Sequence, residues 1–225
     1  AEISSSENFL NENDITNYLQ MKISENPSLK YLLIFGDETH FPPNFQGEVP
    51  ADDLYTWNEN GYPQLATGRI PVATTNEAEI VVDKIRNYML NPAPGIWRQK
   101  ISLLADDHRH PTSSASTEFS HTSNTEELME IIKDEALVET FYGSEYEPTP
   151  SSGWINLPQM TADVFQVVNS GTALLNYIGH GSPKTLSHEQ IIDMDRDLSI
   201  INPEQGKETI WIVGTCSFGH YDDEN

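Results

Sequence analysis

Apolar residues fall along this chain in two alternating rhythms. Five short runs are almost continuously apolar: Lys30–Asp37 (KYLLIFGD), Gln99–Asp107 (QKISLLADD), Val138–Gly143 (VETFYG), Thr172–Gly181 (TALLNYIGHG) and Thr209–Cys216 (TIWIVGTC). Runs of this length, stopped by Gly or Asp, predict strands buried on both faces, as in a parallel sheet. Between them the apolar spacing lengthens to that of a helix. Helices are expected over 13–23, from Thr74 onward, over 125–137, over 161–171 and, more briefly, over 187–198. Thr74 followed by Glu77 is a capping-box pattern, and Ala78, Val81, Val82, Ile85 and Met89 then form one stripe. Val164, Phe165 and Val168 turn inward in the fourth helix, with Gly171 as its stop. Residues 38–66 are rich in Pro, Gly, Asn and acids and read as a long loop of the kind that often serves function.

Strands separated by helical patterns imply βαβ units, hence an α/β fold with a mostly parallel sheet flanked by helices on both faces. Chemistry in such sheets gathers beyond the carboxyl ends of the strands. Here those ends carry Asp37, Asp106 and Asp107, His180 and Cys216. On this reading one edge collects carboxylates, an imidazole and a thiol.

Charge narrows the partners. The 35 Asp and Glu against 12 Lys and Arg give a net charge of −23, which disfavours nucleic acid and anionic membranes and suits solubility, basic partners or hard cations. One cysteine among 225 residues excludes an internal disulfide and a cysteine-rich zinc centre. The polar N-terminus carries no secretory-leader pattern, and the chain reads as a slice of something longer. The His-Arg-His tract at 108–110 has no helical His-x-x-x-His partner, so a catalytic zinc centre is not expected.

Cys216 has two readings. A lone thiol at a strand end is commonly a small buried apolar residue. Beside an imidazole it becomes a nucleophile. His180 and Cys216 are 36 residues apart with one crossover between them, long enough to make their strands parallel neighbours. That would set Cys216 as nucleophile and His180 as general acid/base, with the backbone N–H groups of Gly181 and Cys216 as an oxyanion hole. Asp106 and Asp107 either orient His180, bind a basic substrate group or cap the following segment. His121 and Glu118 are further candidates for the substrate pocket. Asp52 and Asp53 either ligate a cation or turn their loop.

The sequence LLNYIGHGS followed by IWIVGTCSFG resembles the gingipain family of cysteine peptidases, within the caspase-like clan. YLLIFGD, VPADDLY, LATGRIPVATTNEAEIVVDKIRNY and WRQKISLLADD are similar to that family's blocks in the same order, from about Lys30 to Asp223. The blocks look most like those of the family's sortase members, which serve type IX secretion, although His220 stands where those carry an arginine.

The resemblance implies a caspase-like fold. Residues 1–29 would be the helical end of a truncated unit, and 30–225 a catalytic domain cut at its C-terminus. Cys216 is implied as the nucleophile, His180 as the acid/base and Asp107 as its orienting acid. The implied activity is removal of a C-terminal sorting domain from secreted protein through an acyl-enzyme, with lipopolysaccharide as acceptor, at the outer-membrane surface or outside a bacterium. The alternatives are a secreted endopeptidase cutting after Arg or Lys, with Asp106 or Glu118 at the base of its pocket, and a non-catalytic binding module. No cofactor is required; calcium is compatible with the acidic loops.

Overall fold

The structure, a computed structural model, describes residues 12–107, 109–110, 113–117, 120–151 and 154–222. Glu118 and His108 lie outside them. The chain divides into two compact units, residues 1–81 with 220–225, and residues 82–219. The boundary expected at residue 30 falls inside the first.

In the first unit, α1 (Glu12–Glu25) buries Ile15 and Leu19 against Ile34 and Tyr55. Strand β1 (Tyr31–Phe35) pairs in parallel with β2 (Ala66–Ile70), residue 31 opposite 66. Sequence reasoning placed β1 in the main sheet and took residues up to 66 as loop, passing over β2. The burial pattern explains the difference. Of the five residues of β1 only Ile34 is buried, while Tyr31, Leu33 and Phe35 are exposed, so the strand alternates instead of being covered on both sides. Asp37 therefore does not belong to the main sheet's carboxyl edge. Its carboxylate folds its own turn, accepting from the backbone N–H of Thr39 and of His40.

Asp52 and Asp53 build the same unit. Arg69 donates to both oxygens of Asp52 at 2.6 Å and to the carbonyls of Gly36, Asp37 and Phe41. Asp53 accepts from the Trp57 indole. Both carboxylates thus tie their loop to the protein's own donors.

Helix α2 (Thr75–Leu90) begins as its sequence predicts, with Thr74 Oγ1 accepting from Glu77 N–H; Glu77 reaches back to the N–H of Ala73. None of its apolar stripe is fully buried.

The second unit holds four parallel strands: β3 (Lys100–Ala105), β4 (Leu137–Tyr142), β5 (Leu174–Ile178) and β6 (Ile210–Gly214), in the order β6-β5-β3-β4. Helix α4 (Pro158–Ser170) covers one face, packing Val164, Phe165 and Val168 on Leu104, Leu175 and Tyr177. Each such buried side chain contributes about 1.5–3 kcal/mol. The helix ends at Gly171, whose φ of 103° lies in the region only glycine enters freely. Tyr142 is in register with Ala105, one residue beyond Leu104, and so points to the other face, where α3 (Ser120–Ile132) packs. The two-sided α/β sheet expected from the sequence is thus present. The segment 187–198 differs from expectation: it is a small hairpin of Thr185–Leu186 and Ile192–Asp193 followed by one helical turn, Met194–Asp197.

Candidate active site

Strands β5 and β6 run side by side with Ile178 opposite Gly214. Gly179 N–H still bonds to Gly214 O at 3.3 Å. His180 and Cys216 each stand two residues beyond that last pair, in equivalent positions on adjacent strands. Cys216 is exposed, which decides against a buried structural thiol. The two loops stay in contact beyond the sheet, since a Cβ placed on Gly181 would lie 2.5 Å from Thr215 Oγ1.

The backbone of His180 is held on both sides. Its N–H donates to Asp106 Oδ2 at 2.9 Å, and its carbonyl accepts from the Tyr177 hydroxyl at 2.7 Å and from Ser187 N–H at 2.8 Å. Asp106 Oδ1 accepts from Asp107 N–H at 2.8 Å. Glycine at 179 is required by this clamp: a Cβ there would sit 2.4 Å from the Tyr177 hydroxyl and 2.5 Å from Asp106 Cβ. The small residues around the histidine thus have a packing reason that sequence alone did not supply.

Asp106 was a candidate for a substrate pocket. At 1% exposure, with both oxygens accepting from backbone N–H groups, it holds the histidine loop. Burial pushes its carboxyl above the ordinary range, partly offset by the N–H groups of His180 and Asp107. Asp107, 4% exposed, lies with its carboxylate beside those of Asp106 and Glu189, all within 4.8 Å of one another. Glu189 is 5% exposed, and burial with the two aspartates pushes it up to about 7. His121, near the start of α3, sets its ring edge-on to that of His180 with centroids 5.1 Å apart. His188 lies on His180 with centroids 4.6 Å apart.

The structure therefore brings together His180, His121, Asp106 and Asp107 from the expected set, with Cys216 on the adjoining strand end. Sequence reasoning missed Tyr177, His188 and Glu189. Tyr177 read as one more apolar strand residue, and Ser-His-Glu at 187–189 as the start of a helix. A His-Glu pair in a segment of weak helical periodicity was the available signal.

The candidate oxyanion donors are unspent. Gly181 faces Leu186 across a bridge whose hydrogen bonds are made by Ser182 and Ser187. Among the described residues neither Gly181 N–H nor Cys216 N–H donates to a protein acceptor.

The chain is similar to known proteins in sequence and in fold. An uncharacterized protein of Archaeoglobus fulgidus is 22% identical over 204 residues, covering 86% of this chain and 48% of that protein. The chain thus spans about half the length of the curated relative it matches. Among solved structures, the Arg-specific cysteine proteinase gingipain R superposes with a TM-score of 0.75 at 16% identity, covering 99% of this chain and 48% of that one. The complex of Porphyromonas gingivalis RgpB pro- and mature domains gives 0.63 at 15% identity, over 91% of this chain and 53% of that one. At these identities the likeness is one of fold. The model of peptidase family C25 matches residues 3–225, nearly the whole chain. A parallel sheet with a histidine and a cysteine at adjoining strand ends, on a chain matched throughout by that model, makes this protein a member of peptidase family C25.

Proposed function

We propose that this chain carries the catalytic part of a cysteine peptidase, with Cys216 as nucleophile and His180 as general acid/base. The shared register of β5 and β6 carries this reading, because it sets the two side chains on adjacent strand ends. The Cys216 thiol gives its proton to His180, and Sγ attacks the carbonyl carbon of a peptide bond. The oxyanion is stabilised by Gly181 and Cys216 N–H, whose lack of other acceptors among the described residues supports that role. The C–N bond then breaks, His180 passes its proton to the departing amine, and a thioester remains. Asp106 and Tyr177 fix the histidine's backbone; Asp107, whose carboxylate gathers with that of Asp106, is the candidate for orienting it.

A peptide-ketone electrophile tests the nucleophile. One adduct per chain by intact mass is expected, lost in Cys216→Ala. No adduct on the unaltered chain, or an equal adduct on the variant, overturns the assignment.

Within this class we favour a transpeptidase that releases a C-terminal sorting domain from secreted protein and passes the acyl group to an amine or hydroxyl of lipopolysaccharide. The likeness of the blocks GRIPV, WRQKISLLADD and TCSFG to those of the family's sortase members supports this reading. A bacterial strain carrying Cys216→Ala should secrete protein with that domain attached. Normal processing in that strain, or cleavage of peptides after Arg or Lys without any acyl acceptor, would point to the endopeptidase instead.

A further inference from the structure

One ligand atom each of Asp106, His121 and His180 lies within 4.8 Å of the other two. Two imidazoles and a carboxylate suit zinc; calcium and magnesium prefer all-oxygen sets. Around a zinc ion with bonds of about 2.0–2.1 Å, tetrahedral ligand atoms stand roughly 3.4 Å apart. Asp106 is held by its two N–H donors, so closing the remaining gap falls to rotation of the two half-buried imidazoles.

Three further observations fit a metal. Nδ1 of His121 is buried and makes no hydrogen bond among the described residues, an orphaned lone pair or N–H that costs free energy as it stands. The carboxyl groups of Asp107 and Glu189, both buried, gather within 4.8 Å of that of Asp106, so the donor set adjoins an acidic cluster. Asp106 is itself fixed by the N–H groups of Asp107 and His180, the kind of outer support that holds a ligand in place. His121 and His180 are only half-buried, so an ion can reach them.

We propose that Asp106, His121 and His180 form a zinc-binding site, and that zinc bound there holds the enzyme inactive by occupying the His180 imidazole. From the sequence a catalytic zinc centre is not expected; this site is inhibitory and arises from three separated segments. The inhibitory half rests on the cysteine-peptidase reading, while the binding half does not.

Zinc binding is measured first, on EDTA-stripped full chain, by isothermal titration and by the visible absorption of cobalt as a probe. One ion per chain is expected with micromolar affinity. His121→Ala and His180→Ala should each weaken binding at least tenfold, while His40→Ala, on the exposed surface of the first unit, should not. Affinity should fall as pH drops and the imidazoles take up protons. Histidine ring NMR on the unaltered chain gives the same answer without a substitution: the His121 and His180 signals should move together on adding zinc. Absence of binding, or movement confined to other histidines, overturns the site.

Peptide-ketone adduct formation is then followed with and without zinc. A slowing of at least tenfold, reversed by EDTA, supports the inhibitory role; an unchanged rate in zinc-loaded protein overturns it. A chain that binds zinc at these residues but forms no adduct under any condition refutes the peptidase reading and leaves the metal site standing.

Discussion

Gly181 offers the sharpest test of how the two loops are held together. Its backbone is not in the left-handed region, so alanine is conformationally acceptable there and any penalty is steric. The added methyl would lie 2.5 Å from Thr215 Oγ1 and 2.9 Å from Thr215 Cγ2. To reach an ordinary contact of 3.4 Å the loops must part by about 0.9 Å. Overpacking of this kind costs about 1–3 kcal/mol. In a domain of this size that lowers the melting temperature by roughly 2–12 °C. The functional cost should be larger, because Thr215 precedes the nucleophile and a displacement near 1 Å costs on the order of a hundredfold in rate. Thr215→Ala removes both offending atoms and leaves only Cβ, 3.2 Å from the new methyl. It also deletes a buried hydroxyl that has no hydrogen-bond partner among the described residues, so alone it should be nearly neutral.

The assay is a double-mutant cycle in kcat/KM on a peptide substrate, with thermal unfolding measured in parallel. Gly181→Ala should lose about a hundredfold, and the double variant should regain at least tenfold, a coupling of about 1.4 kcal/mol. A double variant no better than Gly181→Ala, in both rate and melting temperature, would falsify the steric argument. Full activity in Gly181→Ala would refute it more directly.

Three further outcomes follow from the same contacts. Glu189, held at about 7 against an ordinary 4.5, favours its protonated form in the folded state, so its contribution is fully present below about pH 4.5 and is lost as pH rises through 7. In EDTA-treated protein, Glu189→Gln should therefore be stabilised at pH 8, by up to about 3 kcal/mol, and show little gain at pH 4; equal gains at both would contradict burial beside Asp106 and Asp107 as the cause. Arg69→Ala should destabilise by about 3–5 kcal/mol in chemical denaturation, because it strands the Asp52 carboxylate. Adding Asp52→Asn should recover part of that loss; if it does not, the pair is not coupled as the hydrogen bonds indicate. Tyr177→Phe removes the 2.7 Å hydrogen bond to the His180 carbonyl, which Ser187 N–H still satisfies, so stability should fall by only about 1 kcal/mol while kcat drops more than KM changes. An unaltered kcat would mean that the clamp does not position the histidine.

The chain's own pattern determined the class of fold and the edge at which its chemistry gathers. Apolar runs ending in Gly-His-Gly and in Gly-Thr-Cys, with helical periodicity between them, were enough to predict parallel strands with His180 and Cys216 at their tips. Such features are legible because strand and helix periods are local. Tertiary structure decided the rest. It moved Tyr31–Phe35 into a separate sheet with a partner the sequence hid, since burial on one face or two depends on what packs there. Among the roles the sequence left open for Asp106 it picked out a bond to the His180 N–H, because the direction of a strand-end side chain follows from the neighbouring strand and not from its own. It also brought His121, His188 and Glu189 to the histidine from α3 and a small hairpin, a convergence across three segments that no local spacing encodes.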